Sequence, residues 1–360
     1  MPPVTPEVRA SVPDATTSPS LASAKVVFPP HYSSQQNISS AVTGFGGADF
    51  ERFSASSGVK FRHHSVPLER YGELSGFTEA NEIFLDVALD LGEQALLAAF
   101  DAAKVKPSEI DMIFSTTVTG LAVPTLEARL ATRVGLRPDV KRLPLFGLGC
   151  VAGAAGVARM YDYLRAYPDQ VAALLAVELC SLTIQRSDHS VANMVASSLF
   201  GDAAGVVVAK GANRESTGPR VLATRSRIYP DTEDVMGWRI GTEGFKIVLS
   251  VEVTTVAEKF LGEDVRKFLA DYGLTTDDIT TWVCHPGGPK VIESIENVLD
   301  LPVNALDHTR NSLRDNGNLS SVSVLDVLRA NLADPPPPGS YGLMVAMGPA
   351  FCSELVLLGW

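Results

Sequence analysis

The sequence predicts an α/β protein made of two duplicated halves, and three features of the 360-residue chain carry that prediction. Strand-length apolar runs alternate with helix-length amphipathic runs. The strand runs, such as "QVAALLAVELCS", are almost unbroken in apolar residues, which fits sheets covered by helices on both faces. The second half also repeats the first. "LTTDDITTWVCHPGGPKVIESIENVLDLP" lines up with "VKPSEIDMIFSTTVTGLAVPTLEARLATRVGLRP", with Ile279 standing 169 residues after Ile110. A repeat of this size implies two like units about a pseudo-twofold, residues 25–210 and 211–360, behind a tail at 1–24.

The first 24 residues hold five Pro and seven Ser or Thr and no apolar core, so they read as a disordered tail and not as a signal peptide. Ordered structure is expected from "AKVVFPPHY", Ala24 to Tyr32, as a strand and a turn. "TEANEIFLDVALDLGEQALLAAFDAAKV" repeats apolar residues at three- and four-residue spacing and reads as a long helix. "PSEIDMIFSTT" is a turn and a buried strand, and "PTLEARLATRVGL" returns to helix. "RLPLFGLGC" is a strand running into Cys150, followed by the helix "VAGAAGVARMYDYLRAYP", the strand "QVAALLAVELCS", and "SLFGDAAGVVVAKG", which opens a strand pair. "YPDTEDVMGWRIGTEGFKIVLS" reads as a hairpin insertion. The repeat then places Asn318, in "RDNGNLSSVSVLDVLRANL", at the strand-to-helix junction that corresponds to Cys150.

Composition narrows the function classes. The chain is 46% hydrophobic and 20% charged, enough apolar material for a large core. A net charge of -11 with no Lys/Arg run argues against a general nucleic-acid binder. Cys150, Cys180, Cys284 and Cys352 lie far apart, without metal-ligand spacing or a disulfide pattern, which fits a reducing, cytoplasmic compartment. The longest uncharged run, between Arg142 and Arg159, holds 16 residues with Pro144 and four glycines, too short and broken to span a bilayer.

Cys150, His285 and Asn318 all fall where strand ends of an open α/β sheet would line one cleft. A cysteine at a helix N-terminus beside an imidazole is expected to be a thiolate at neutral pH, able to attack acyl thioesters. His and Asn supply two donors toward one carbonyl oxygen, which stabilises an enolate or tetrahedral oxyanion. Cys284, next to His285, should point to the opposite side of its strand, into the core.

Taken together, "GLGCVAGA", "SLFGD", "HPGGPK" and "GNLSS" make the chain resemble the type III polyketide synthases, the chalcone synthase-like branch of the thiolase superfamily, from about Val26 to Trp360. The resemblance implies a thiolase-like fold, with the two halves layered αβαβα. It implies that Cys150 loads the acyl chain and that His285 and Asn318 bind the malonyl thioester carbonyl. Phe200 and Phe245 match the two gatekeeper phenylalanines, and Val118 and Cys180 the inner cavity wall. Arg52, Lys60, Arg62, Gly288 and Lys290 are the candidates for the coenzyme A tunnel, although Asp49 and Ser56 stand where the family often has lysine. Val123 falls where the family sends a side chain across a homodimer interface. Malonyl-CoA and acyl-CoA are the implied substrates, with no metal or redox cofactor. The bacterial members it most resembles often take fatty acyl starters, so a medium- or long-chain starter and an alkylpyrone or alkylresorcinol-type product are expected. "AMGPAFC" replaces the family's usual G-F-G-P-G loop, and Ala350 in place of Gly restricts a positive-φ conformation.

Two rivals share the Cys, His, Asn set. One is a ketoacyl synthase III-like enzyme making a single condensation, which "HPGGPK" and "SLFGD" argue against. The other is a papain-like hydrolase, which leaves the 169-residue repeat unexplained.

Overall fold

The computed structural model describes residues 11–250 and 252–360. The first half contains β1 (Ser20–Val27), β2 (His31–Ser34), α1 (Gln35–Ser56), β3 (Phe61–His64), α2 (Phe77–Ala103), β4 (Met112–Thr116), α3 (Leu126–Arg133), β5 (Lys141–Leu145), α4 (Ala152–Ala166), β6 (Val171–Leu179), α5 (Val191–Leu199) and β7 (Asp202–Lys210). The second contains β8 (Arg220–Ile228), β9 (Met236–Gly241), β10 (Gly244–Leu249), α6 (Glu252–Asp271), β11 (Ile279–Cys284), α7 (Pro289–Leu299), α8 (Asp307–Asn316), α9 (Ser323–Ala333), β12 (Tyr341–Gly348) and β13 (Cys352–Gly359).

Nine strands form one sheet in the order β11-β12-β13-β8-β1-β7-β6-β4-β5. The duplication is visible in its pairing. In the first half β4 runs parallel to β6, β6 antiparallel to β7, and β7 antiparallel to β1. In the second half β11, β12, β13 and β8 follow the same sequence of directions. The halves meet where β1 and β8 touch at Ser20 and Arg220. The repeat breaks at β5. The residues 169 positions further on lie in helix α8, so Asn318 is approached from a helix and not, as the repeat suggested, from a strand.

Both faces of each half are covered, as the unbroken apolar strands required. Along β6, Ala172, Leu174 and Ala176 face a central layer that holds Ala154, Val157 and Ala158 of α4 and Val324, Leu325 and Leu328 of α9. The alternate residues Ala173, Leu175 and Val177 face outward onto Phe84, Leu96 and Phe100 of α2. In the second half Leu261, Val265 and Phe268 of α6 and Ile292 and Ile295 of α7 cover the outer face. The result is the layered αβαβα arrangement. The small residues of α4 make its central position possible. A Cβ on Gly153 would sit 2.2 Å from the Ser321 carbonyl oxygen, and one on Gly156 would sit 2.6 Å from Leu174. An added methyl there would force the layers apart, at about 1–3 kcal/mol for an overpacked core.

The tail is shorter than expected. Residues 1–10 lie outside the described part, but β1 begins at Ser20, four residues before Ala24, and Ser20, Leu21 and Ser23 are buried. Ser23 Oγ donates to Ala99 O at 2.8 Å and Leu21 N to Pro219 O at 2.9 Å, while Ser20 Oγ has no partner. A Ser-rich stretch thus becomes a central strand, its backbone paired with β7 and its Ser23 hydroxyl bonded to a distant carbonyl. The segment read as a hairpin insertion is one: β9 and β10 pair with each other alone. No helix among the described residues is long and apolar enough to cross a membrane.

Candidate active site

Cys150 sits in a 3-10 turn, Gly149–Val151, that leads directly into α4. The turn needs glycine at 149, where φ is +56° and a Cβ would lie 2.7 Å from Pro349. Pro349 belongs to the "AMGPAFC" loop. In that loop Ala350 takes the positive φ, 57°, despite its methyl group, and its carbonyl accepts from Thr232 Oγ1 at 3.0 Å.

His285 follows β11, with its backbone N bonded to Val345 O of β12 at 2.9 Å. Cys284 points the other way and packs in the outer cluster, as its strand register required. Asn318 lies between α8 and α9, and the loop carrying Phe200 clamps it from both sides: Asn318 N donates to Leu199 O at 2.8 Å and Gly201 N to Asn318 O at 2.9 Å. Its amide orientation is fixed, because Oδ1 accepts from Ser320 N at 2.8 Å. That turns Nδ2 toward the His285 turn, where Gly287 O lies at 3.4 Å. Ser320 in turn accepts from Cys150 Sγ at 3.8 Å. A short chain of contacts therefore joins the cysteine, the asparagine and the histidine turn.

Burial works against the expected thiolate. Burial pushes the Cys150 thiol up to about 12, the Ser320 contact pulls it back only in part, and nearby Glu178 pushes it further. Burial also lowers His285 to about 4, and its Nδ1 has no hydrogen-bond partner. Burial thus works against charge on both groups, in opposition to the helix N-terminus at Cys150. Sequence reasoning missed the polar group behind them. Glu178, a lone carboxylate inside the apolar run of β6, accepts from Ser321 Oγ at 2.6 Å, Thr119 Oγ1 at 3.0 Å, Val118 N at 3.2 Å and Ser320 Oγ at 3.4 Å. A single charge in an otherwise apolar strand was the signal that marked it.

Two cavities lie nearby, neither of them lined by Cys150, His285 or Asn318; both touch Thr119, a partner of Glu178. The larger, about 480 Å³, lies to one side, with His63, His64, Tyr71, Asn81, Phe200 and Phe245 among its walls. The smaller, about 40 Å³, touches Cys180, Phe200, Trp238 and Ser320. Both gatekeeper candidates thus border open space. Val118 borders neither cavity, and Cys180 only the smaller, which has room for little more than a water molecule or two. Among the tunnel candidates, Arg62 is displaced from its expected place at a mouth. It is buried under Phe200, donating to Phe200 O at 2.7 Å, Ser197 O at 2.8 Å and Gln35 Oε1 at 3.0 Å, because its β3 position faces inward. Arg52, Lys60 and Lys290 are exposed, and Gly288 caps the N-terminus of α7. The side chain of Asp49 lies outside the described residues. Among those described, no three His, Cys, Asp or Glu side chains converge as a metal site.

Residues 48–213 match the N-terminal domain of chalcone and stilbene synthases, and residues 220–359 match their C-terminal domain. The chain is 49% identical to a 1,3,6,8-tetrahydroxynaphthalene synthase of Streptomyces peucetius subsp. caesius, over 95% of this chain and 93% of that one. It is 28% identical to a phloroglucinol synthase of Pseudomonas fluorescens, over 93% and 97%. Among solved structures it is similar to the 1,3,6,8-tetrahydroxynaphthalene synthase of Streptomyces coelicolor A3(2), a type III polyketide synthase, with a TM-score of 0.91 and 28% identity over 95% of this chain and 99% of that one. The duplicated, layered fold is that of the thiolase-like condensing enzymes. Within that class the chain belongs to the chalcone and stilbene synthase family. It is a type III polyketide synthase, a coenzyme A-dependent acyltransferase that condenses malonyl-CoA units.

Proposed function

We propose that Cys150 carries the growing chain while His285 and Asn318 together hold the thioester oxygen of malonyl-CoA. The observation that carries this reading is the fixed Asn318 amide, turned toward the His285 turn and one residue from the serine that touches Cys150 Sγ. The Cys150 sulfur attacks the starter thioester, and coenzyme A leaves as its thiolate, which takes a proton. Malonyl-CoA then loses carbon dioxide, and the C–C bonding pair becomes an enolate whose oxygen rests on the two donors. The enolate carbon attacks the Cys150 thioester and expels the sulfur, leaving the extended chain on coenzyme A. No step calls for a metal or a redox group. The exposed Arg52, Lys60 and Lys290, with the Gly288 turn at the start of α7, take the phosphates of coenzyme A, and Arg62 shapes the wall beneath Phe200. These thioesters are cytoplasmic metabolites, and the enzyme works there.

The starter is malonyl-CoA itself, and the product a polyhydroxylated aromatic of the tetrahydroxynaphthalene type. The 49% identity to a 1,3,6,8-tetrahydroxynaphthalene synthase supports this over the long acyl starter. The narrow space beside Cys180 offers such a tail no path. Mass analysis of products from malonyl-CoA alone, and with acyl-CoAs of rising length, tests the assignment. Malonyl-CoA alone should give an aromatic pentaketide-sized product. Faster turnover with every longer acyl-CoA, together with loss of that preference in Cys180→Phe, would establish the aliphatic starter instead.

The enzyme is a homodimer in this reading. Val123 is 95% exposed and Phe146 52%, with Leu121 and Leu143 beside them near the edge strand β5, an apolar patch that a second copy would cover. Sedimentation at micromolar concentration should give twice the chain mass of 38.3 kDa, and a monomer would count against the interface.

A further inference from the structure

Arg62 holds more donors than the fold uses. It lies on the inward face of β3 and is only 5% exposed. Nε donates to Gln35 Oε1 at 3.0 Å, and Nη1 to Ser197 O at 2.8 Å and Phe200 O at 2.7 Å. Gln35 is fixed in turn, its Nε2 donating to Ser198 O at 2.6 Å. These bonds brace the end of α5 and the Phe200 backbone, and they set the plane of the guanidinium. The third nitrogen, Nη2, takes no part in this. It is buried without a hydrogen-bond partner. The three acceptors are all neutral, two carbonyls and an amide. Asp202 acts on Arg62 only through space, because Ser65 and Ser181 donate to its oxygens. Burial lowers Arg62 to about 10, so it stays a cation at neutral pH. A buried cationic N–H without an acceptor is costly, and folds keep few of them.

The position of Arg62 identifies the missing acceptor. Arg62 lies in the walls of both cavities, as do Thr119, Ser181, Thr183, Ser197 and Phe200. It therefore stands in the partition between the two. On one side the smaller cavity touches Ser320, whose Oγ accepts from Cys150 Sγ. On the other side lies the 480 Å³ chamber, which has room for a chain of several ketide units.

We infer that Nη2 of Arg62 is an oxygen-binding site for the ketide chain, donating to a keto or enolate oxygen of a chain lodged against the partition between the two cavities. This rests on the reading that the chain is built from malonyl units. Such a chain carries an oxygen on every second carbon, so a fixed donor finds an acceptor at many chain lengths. An alkyl tail carries none and leaves the N–H unpaired. A hydrogen bond from a cation is stronger than one between neutral groups, and stronger again when the acceptor is an enolate. Arg62 thus selects oxygenated chains over saturated ones, because the wrong chain leaves a buried polar group without its partner. Nε and Nη1 hold the wall in place, and Nη2 reads what lies against it.

The test compares binding of the 3,5-dioxohexanoyl and hexanoyl thioesters of N-acetylcysteamine, which differ only in two keto oxygens. Equilibrium dialysis is run on the Cys150→Ala protein, which lacks the sulfur to be acylated, with Arg62 intact, Arg62→Met or Arg62→Lys. With Arg62 intact the dioxo ligand should bind at least about tenfold tighter. Methionine fills the space without a donor and should bring the two affinities within about twofold. Lysine keeps the charge but offers one nitrogen, which the Ser197 and Phe200 carbonyls already claim, so most of the preference should be lost. A wall loosened by either substitution weakens both ligands and leaves their ratio alone. Equal affinities with Arg62 intact, or an unchanged tenfold ratio in either variant, overturns the site. If Arg62→Met does not fold, Arg62→Lys decides on the same ratio. If malonyl-CoA alone gives no ketide product while the dioxo preference and its dependence on Arg62 stand, the starter reading falls and the oxygen site does not.

Discussion

Cys150→Ala loses chain extension by at least about a thousandfold, while carbon dioxide release from malonyl-CoA continues. The two halves of this result follow from where the groups stand. The thiol is the only reacting group on the turn before α4, and its loss removes the atom that holds the acyl chain between condensations. In the proposed mechanism enolate formation requires only the donors at His285 and Asn318, which other strands and loops position independently of the Cys150 side chain. Alanine fits the site, since it removes one buried sulfur and adds nothing to a turn already crowded by Pro349. Chromatography of products from labelled malonyl-CoA, with trapped carbon dioxide counted in parallel, separates the two activities. Extension by Cys150→Ala at more than a few per cent of the wild-type rate would move the acyl site elsewhere, with Cys180, which lines the smaller cavity, the first place to look.

His285→Ala and Asn318→Ala should each slow decarboxylation by roughly a hundredfold or more, the usual cost of losing one donor to a developing oxyanion. The enolate forms as carbon dioxide leaves, so the donors act on a charge that is absent from the bound substrate and appear in the rate rather than in binding. The pH dependence is informative. Because burial holds His285 near 4, its imidazole is neutral throughout the working range, and protonation begins only as pH falls toward that value. Decarboxylation should therefore be flat in pH from 6 to 8. The His285 carbonyl and the Gly287 amide bond to each other at 3.0 Å, so the alanine variant keeps its turn and reports the lost ring rather than a refolded loop. Carbon dioxide release within threefold of wild type in both variants would remove them from the oxyanion site.

Much of this was legible in the sequence because it was periodic or repeated. The 169-residue offset predicts that α9 stands to the second half as α4 does to the first, and the central layer shows both helices packed side by side. What escaped was non-periodic. Helix α1 is rich in Gly and Ser and shows no apolar stripe, and its start is set by Ser34, whose Oγ accepts from Asn37 N at 3.2 Å. Strand β1 hides in a Pro- and Ser-rich stretch because what holds it, the backbone pairing with β7 and the Ser23 bond to Ala99 O, lies far away in sequence. Asn318 was placed correctly in sequence but on the wrong preceding element, since a repeat conserves position more strictly than secondary structure. The burial of Cys150 was not legible, because helix position is readable from sequence and depth of burial is not. Arg62 looked like a surface cation among basic neighbours, but alternation along β3 turns it inward while Lys60 stays exposed.

The most direct test of the account is to find the atom that carries the chain. Wild-type enzyme turning over malonyl-CoA is quenched in acid within the first cycles, digested, and mapped by mass spectrometry for thioester adducts. The account predicts acyl masses, growing in two-carbon ketide steps, on the peptide containing Cys150 and on no other. Adducts on the Cys180, Cys284 or Cys352 peptides, or none on Cys150 while product accumulates, would contradict it.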